Sequence, residues 1–81
     1  MMIEQKVRFT YPEHLRDQPL LYQLSHQFDL VTNILEARVT GDESWLILAV
    51  RGDLEQVERG LAWIAERGVQ VHMLERIEEE A

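Results

Sequence analysis

The chain opens with an alternation of apolar and polar residues that predicts a β-strand with one apolar face. Val7, Phe9 and Tyr11 are each separated by one polar residue, so their side chains point to the same side of an extended backbone. Pro12 then ends the pattern, because proline cannot donate to a strand ladder. The first predicted element is therefore a half-buried strand.

The next apolar residues recur at helical spacing. Asp17 or Gln18 is the expected N-cap, and Pro19 is the expected first helical residue, where its missing N–H costs nothing. The apolar stripe of this predicted helix consists of Leu20, Leu21, Leu24 and Phe28. A first helix with a single buried face follows from this spacing.

Two further strands are predicted on either side of a turn. Residues 30–40 are rich in β-forming residues and end at Gly41-Asp42, a strong turn signal, and residues 44–51 follow within a few positions. So short a connection predicts a hairpin. Residues 45–50 are apolar at every position, which is typical of a strand that is buried on both faces.

A second helix and a last strand complete the pattern. Asp53 is placed to cap the helix, and Gly68 lies where a left-handed residue would end it. The apolar stripe between them consists of Leu54, Val57, Leu61 and Ile64. Residues 69–74, in which alternate positions are apolar, predict the fourth strand.

The resulting order, β-α-β-β-α-β, predicts an α+β fold of the ferredoxin-like kind. We expect a sandwich with a four-stranded antiparallel sheet and two helices on one face. Residues 6–76 are predicted to form this single domain, and residues 77–81, which contain three consecutive glutamates, to form an acidic, solvated C-terminal tail.

The third strand leaves one apolar face to be covered, because two helices can cover only one side of the sheet. That face is either the one with Trp45, Ile47 and Ala49 or the one with Leu46 and Leu48. An uncovered apolar sheet face is unusual for a monomer and usually marks an interface. We therefore predict a homodimer, with Trp45, Ile47 and Ala49 in its interface.

Composition narrows the classes of partner. Fifteen acidic and eight basic residues give a formal net charge of −7, which disfavours nucleic acid and anionic membrane surfaces. Cysteine is absent, so disulfides, thiol nucleophiles and cysteine-based metal sites are excluded. No secretory leader is visible, and the longest apolar run, residues 45–50, is far too short for membrane insertion. We expect a cytoplasmic protein.

No catalytic or metal-binding pattern stands out. His14, His26 and His72 are not spaced as zinc ligands, and the four glycines are isolated, so no phosphate-binding loop is formed. We expect no metal, no cofactor and no enzymatic activity.

Two other classes of protein share this element order, and the sequence disfavours both. RNA-recognition modules need aromatic stacking residues and basic flanks, which this acidic chain does not offer. Acylphosphatases use an arginine and an asparagine, for which Arg16 and Asn33 are candidates, but here the loop after the first strand lacks glycine and carries Glu13. That carboxylate would repel a phosphoryl anion.

A resemblance to a known family is carried by several short segments in order. Asn33-Ile34-Leu35 follows a helix that opens with residues 19–21, and residues 46–52 form an apolar strand that ends in glycine. Residues 61–64 and 68–71 continue the pattern. Together these segments resemble the NIL domain, which is named after the tripeptide and usually lies at the C-terminus of the ATP-binding subunit of bacterial methionine importers.

The resemblance implies an ACT-like ferredoxin fold, a homodimer and a ligand at the dimer interface, with methionine as the ligand in the importers. Carried over, Asn33 would hydrogen-bond the α-amino or carboxylate group of the ligand, since its amide both donates and accepts. Ile34 and Leu35 would line the apolar part of the pocket. A structural alternative for Asn33 is a turn residue that bonds its own backbone.

Two residues depart from the family pattern: Ser44 stands where glycine is common and could narrow a pocket, and His72 replaces a residue that is commonly acidic. The first hypothesis is a free-standing regulatory domain that binds an amino acid such as methionine, with a protein partner such as a transporter. The alternative is a ligand-free interaction module that uses the open sheet face.

Overall fold

The computed structural model describes residues 1–15, 18–40 and 42–79. Within this part of the chain the elements are β1 (Met2–Pro12), a 3₁₀ turn (Glu13–Leu15), α1 (Leu20–Gln27), β2 (Val31–Val39), β3 (Glu43–Asp53), α2 (Leu54–Glu66) and β4 (Gln70–Glu79). The four strands form one antiparallel sheet in the order β2-β3-β1-β4. The predicted α+β, ferredoxin-like order is confirmed.

Both helices pack on one face of the sheet. The core on that side is formed by alternate residues of the two central strands and by the apolar stripes of the helices; its fully buried members are Ile3, Val7, Phe9, Leu24, Leu48, Val50, Val57 and Ile64. Leu48 therefore faces the helices, and Trp45, Ile47 and Ala49 face the other way, because successive residues of a strand alternate. The uncovered face is the one with Trp45.

One buried position of β1 is polar. Gln5 occupies the core-facing row between Ile3 and Val7 and is 2% exposed. Opposite it, the pairing of β1 with β4 shifts by one residue, so that Leu74 and Glu75 form a β-bulge. The Gln5 amide Nε2 donates to the Leu74 and Glu75 carbonyls at 3.2 and 3.3 Å, and its Oε1 accepts from Arg76 Nε at 2.8 Å. Gln5 thus satisfies backbone groups that the bulge removes from the ladder.

A second β-bulge lies in the other edge strand, β2. Asn33 pairs with Ala49 and Ile34 with Leu48, but Glu36 pairs with Ile47, so Leu35 is the extra residue. Asn33 and Leu35 consequently lie on the uncovered face, whereas Ile34, opposite the core residue Leu48, lies on the helix side.

Two of the three predicted helix ends match the structure. The Asp53 carboxylate caps α2 by accepting from Glu55 N at 3.1 Å. Gly68 has φ +104° and closes the helix, with its N–H bonded to Ala65 O and that of Val69 to Ile64 O. For α1 the expectation was wrong by one position: Pro19 is the N-cap and helix residues begin at Leu20. Asp17 and the turn residue Gly41 lie outside the described residues.

The sheet is longer than the pattern predicted. β1 begins at Met2, and β4 runs to Glu79, so residues 77–79 are strand residues and the predicted tail boundary at 77 is wrong. These residues pair with the start of β1, and Glu79 is held by a bidentate ion pair with Arg51 on β3 (2.6–3.2 Å). The Arg51 guanidinium lowers the pKa of the Glu79 carboxyl. Glu79, which is half-buried, is thereby held in the strand.

Candidate functional site

The uncovered side of the sheet, called here the open face, combines apolar and charged rows. Register and alternation assign its members strand by strand. They are Val31, Asn33, Leu35, Glu36 and Arg38 of β2; Trp45, Ile47, Ala49 and Arg51 of β3; Glu4, Lys6, Arg8 and Thr10 of β1; and Gln70, His72, Glu75, Ile77 and Glu79 of β4. The face is therefore not a plain apolar surface.

A hollow of about 320 Å³ lies across the middle of this face, and all four strands contribute to it. The residues that line this central hollow are Glu4, Lys6, Asn33, Leu35, Ala49, Glu75 and Ile77. Its volume is at the lower end of the range of small-molecule pockets, about 300–1,000 Å³. Such a site can hold a small-molecule ligand.

The sequence creates the hollow by placing a small residue between larger ones. Ala49 is paired with Asn33 on one side and Lys6 on the other, so its methyl group forms the floor. Leu35 and Ile77 supply apolar walls from the two edge strands and are 49% and 54% exposed. Each wall residue lies beside or at a β-bulge, which sets the direction of its side chain.

The polar groups of the hollow carry both signs of charge. Lys6 Nζ lies 3.1 Å from Glu75 Oε1, and Glu4 lines the same hollow. Because Lys6 and Glu75 are solvent-exposed, their ion pair contributes little to stability and its groups are available to a ligand. With the Asn33 amide, the hollow offers an ammonium group, two carboxylates and a neutral donor and acceptor.

The structure brings together two of the three predicted ligand-binding residues. Asn33 and Leu35 line the central hollow, but Ile34 is on the helix side and does not. Asn33 lies inside β2, so its reading as a turn residue is wrong. Of the predicted interface residues, Trp45, Ile47 and Ala49 all lie on the open face, and Ala49 also forms the hollow floor.

Sequence reasoning missed four residues of the hollow. Glu4 and Lys6 alternate with the apolar residues of β1, a signal that would have placed them on the open face. Glu75 and Ile77 lie beyond the predicted end of the last strand. Glu75 is part of the bulge and Ile77 lies two residues after it, and no local sequence pattern predicts that bulge. Glu75 and Ile77 face the hollow only because β4 continues past Leu74.

The two departures from the family pattern lie away from the hollow. Ser44 is paired with Tyr11 on the helix side of the sheet and is 7% exposed. The expectation that Ser44 could narrow the pocket therefore does not apply to the central hollow. His72 is on the open face opposite Arg8 but is not among the lining residues.

Fold and hollow together define a small ferredoxin-like domain whose uncovered sheet carries a mixed polar and apolar site. Comparison with family models matches residues 5–72 to the NIL domain. The chain therefore belongs to the NIL domain family, as the ordered segments around Asn33 indicated.

Two curated relatives agree with this assignment. The chain is 32% identical over 72 residues to the methionine import ATP-binding protein MetN of Coxiella burnetii, covering 84% of this chain and 20% of the relative. It is 29% identical over 75 residues to methionine import ATP-binding protein MetN 1 of Enterococcus faecalis, covering 88% of this chain and 21% of the relative. The chain thus spans about a fifth of the length of these relatives.

Solved structures support the fold independently of sequence. The C-terminal domain of an ABC transporter ATP-binding protein from Enterococcus faecalis superposes with a TM-score of 0.78 at 9% identity, covering 86% of this chain and 82% of that one. The de novo designed protein Foldit4 has a TM-score of 0.63 at 13% identity, covering 99% of this chain and 100% of that one.

Neither α1 nor α2 is long and apolar enough to cross a bilayer. Across residues 1–15, 18–40 and 42–79, no three His, Asp or Glu side chains are grouped so as to hold a metal ion.

Proposed function

We propose that this chain is a non-enzymatic regulatory domain that binds a free amino acid, such as methionine, in the central hollow. The observation that carries the proposal is the composition of the hollow, in which Asn33, Lys6 and two carboxylates surround an apolar floor and walls. An α-amino acid has a carboxylate, an ammonium group and a side chain. The hollow offers polar donors for the carboxylate, carboxylates for the ammonium group and an apolar surface for the side chain.

The match can be stated group by group. Lys6 and the Asn33 amide are placed to receive the α-carboxylate, and Glu75 or Glu4 to receive the α-ammonium group. Leu35, Ile77 and Ala49 would contact an unbranched apolar side chain. The ligand would replace the exposed Lys6–Glu75 ion pair with two charge-assisted contacts of its own.

The relatives favour methionine among the apolar amino acids, because the proteins that contain similar domains are named methionine import ATP-binding proteins. A regulatory role requires that the ligand bind one partner-bound state better than another. A transporter subunit in the cytoplasm is the partner that this relationship suggests.

A homodimer through the open face is part of the proposal. Trp45, Ile47 and Ala49 lie there, and exposed Val31, Leu35 and Ile77 extend the apolar surface. A second copy packed on this face would close the central hollow, which is open to solvent in the single chain. Enclosure would strengthen each polar contact by excluding water.

The alternative is a module that uses the same open face to bind another protein, without a ligand. The mixture of apolar and charged side chains on the face favours it, since protein interfaces have an apolar centre and a polar rim. Only a ligand measurement separates the two functions.

A thermal-shift screen over the amino acids makes that measurement. A ligand at about 100 times its Kd stabilises by about 2.7 kcal/mol, which raises the midpoint of a domain of this size by about 10 °C or more. We expect methionine to give the largest shift. If no amino acid moves the midpoint, the sensor function is rejected in favour of the interaction module.

Three variants of β2 locate the site. Asn33→Ala should abolish the shift, and Leu35→Ala should reduce it, because both side chains line the central hollow. Ile34→Ala is the matched control: it lies between them in sequence but on the other face, and it should bind as the parent does. Loss of binding in the Ile34 variant alone would place the site on the helix side.

A further inference from the structure

A second hollow, of about 370 Å³, lies on the open face toward the C-terminal end of β1. It is lined by Arg8, Thr10, Gln70, Val71 and His72, and we call it the cationic hollow. None of these residues lines the central hollow. None of them is acidic, in a chain whose formal net charge is −7. A local excess of positive charge here is contrary to the composition of the molecule.

Arg8 is held in place but has no ion pair within the part of the chain that the structure describes. Its guanidinium carbon lies 4.7 Å from the centroid of the Trp45 ring, a cation–π contact that restricts the side chain. Its Nε is buried and has no hydrogen-bond partner among the residues that the structure describes. A buried donor without a partner is unfavourable, because it has lost its hydrogen bonds to water.

The residues paired with Arg8 across the sheet are not acidic. His72 is its direct cross-strand partner on β4, and Ile47 is its partner on β3. Lys6, the next open-face residue on β1, is paired with Glu75. The remaining lining groups, the Thr10 hydroxyl and the Gln70 amide, come from a second cross-strand pair. Four side chains with N–H or O–H groups thus converge on one space.

We propose that the cationic hollow binds a small oxyanion, a carboxylate or a phosphate, with Arg8 as the principal contact. A guanidinium presents N–H groups in a fork that matches two oxygens of such an anion. Thr10, Gln70 and His72 supply further donors around it. The anion offsets the charge of Arg8, which has no ion pair among residues 1–15, 18–40 and 42–79. The site is separate from the central hollow and does not depend on an amino acid binding there.

Nuclear magnetic resonance of the full chain tests the proposal. Inorganic phosphate and acetate are titrated separately at constant ionic strength, and the backbone resonances and the Arg8 Nε–H resonance are followed. We expect saturable shifts at Arg8, Thr10, Gln70 and His72 with at least one of the two anions. Saturation with phosphate alone or acetate alone identifies which oxyanion the site prefers. Shifts that grow linearly with both anions overturn the proposal.

Variants distinguish binding at the cationic hollow from a general effect of the charge of the protein. Arg8→Gln should weaken the binding of the anion at least about tenfold, because a hydrogen bond to a charged group is lost. Arg59→Gln removes the same charge from the exposed surface of α2 and should bind as the parent does. His72→Gln leaves the Arg8–Trp45 contact in place and should weaken binding to a smaller extent. Equal affinity in the Arg8 and Arg59 variants, both with dispersed spectra of a folded chain, would also overturn the site.

Discussion

At the scale of single residues, Tyr11 shows how burial in the core changes the pKa of a side chain. Its side chain closes the apolar row of β1, is 8% exposed and meets the Phe9 ring edge to face at 6.3 Å between centroids. Burial raises the pKa of the Tyr11 phenol to about 12, because the phenolate is poorly solvated there. The neutral phenol is therefore part of the folded state.

This raised pKa predicts a loss of stability in alkali. The unfolded phenol titrates near 10, so the contribution of Tyr11 is fully present below pH 10 and is lost as the pH rises through about 12. We expect a phenolate absorbance step near pH 12 that is missing in Tyr11→Phe. A titration of the folded parent complete by pH 10.5 would contradict the assignment.

At the scale of elements, the join between β1 and β4 depends on one polar side chain in the core. Gln5 bridges the bulge by donating to two β4 carbonyls and accepting from Arg76. An apolar residue of similar size would keep the core filled but leave those carbonyls without this donor. The pairing of the edge strand β4 with β1 is thus stabilised by the buried Gln5 side chain.

Gln5→Leu is therefore expected to destabilise the domain by about 1–3 kcal/mol, the cost of buried groups without partners. Urea unfolding measures the change. Gln23→Leu, on the exposed side of α1, is the control and should change stability by less than about 0.5 kcal/mol. An increase in stability for Gln5→Leu would mean that added apolar burial outweighs the lost hydrogen bonds.

Some features of the helices and strands could be predicted from the sequence, and others could not. The alternation in β1 and the helical stripes gave the element order, and Asp53 and Gly68 gave the ends of α2, because caps and buried periodicity are local signals. The bulges at Leu35 and at Leu74 and Glu75 were not predicted, since they arise from pairing between distant strands. The central hollow was only half predicted for the same reason: Asn33 is marked by its tripeptide, but Ile77 is marked by nothing local.

At the scale of the whole molecule, the proposed dimer predicts a mass. The chain has a mass of 9.6 kDa, so light scattering at micromolar concentration should give twice that value. Ile47→Lys places a charge in the apolar part of the open face and should return the mass to that of one chain. Tyr22→Lys, at a residue of α1 that is 68% exposed, is the matched control and should remain a dimer. A single-chain mass for the parent at micromolar concentration would contradict the dimer.

The two bulges also determine how this sheet can grow. Both edge strands carry one, so the regular ladder outside β2 or β4 is interrupted after four residues, at 31–34 and 36–39 in one strand and at 70–73 and 76–79 in the other. An extended segment from another chain could pair with only one such stretch before losing register. Strand addition at the edges, the first step toward fibrils, is thereby disfavoured. The irregularities that help to shape the central hollow also protect an exposed sheet from open-ended polymerisation.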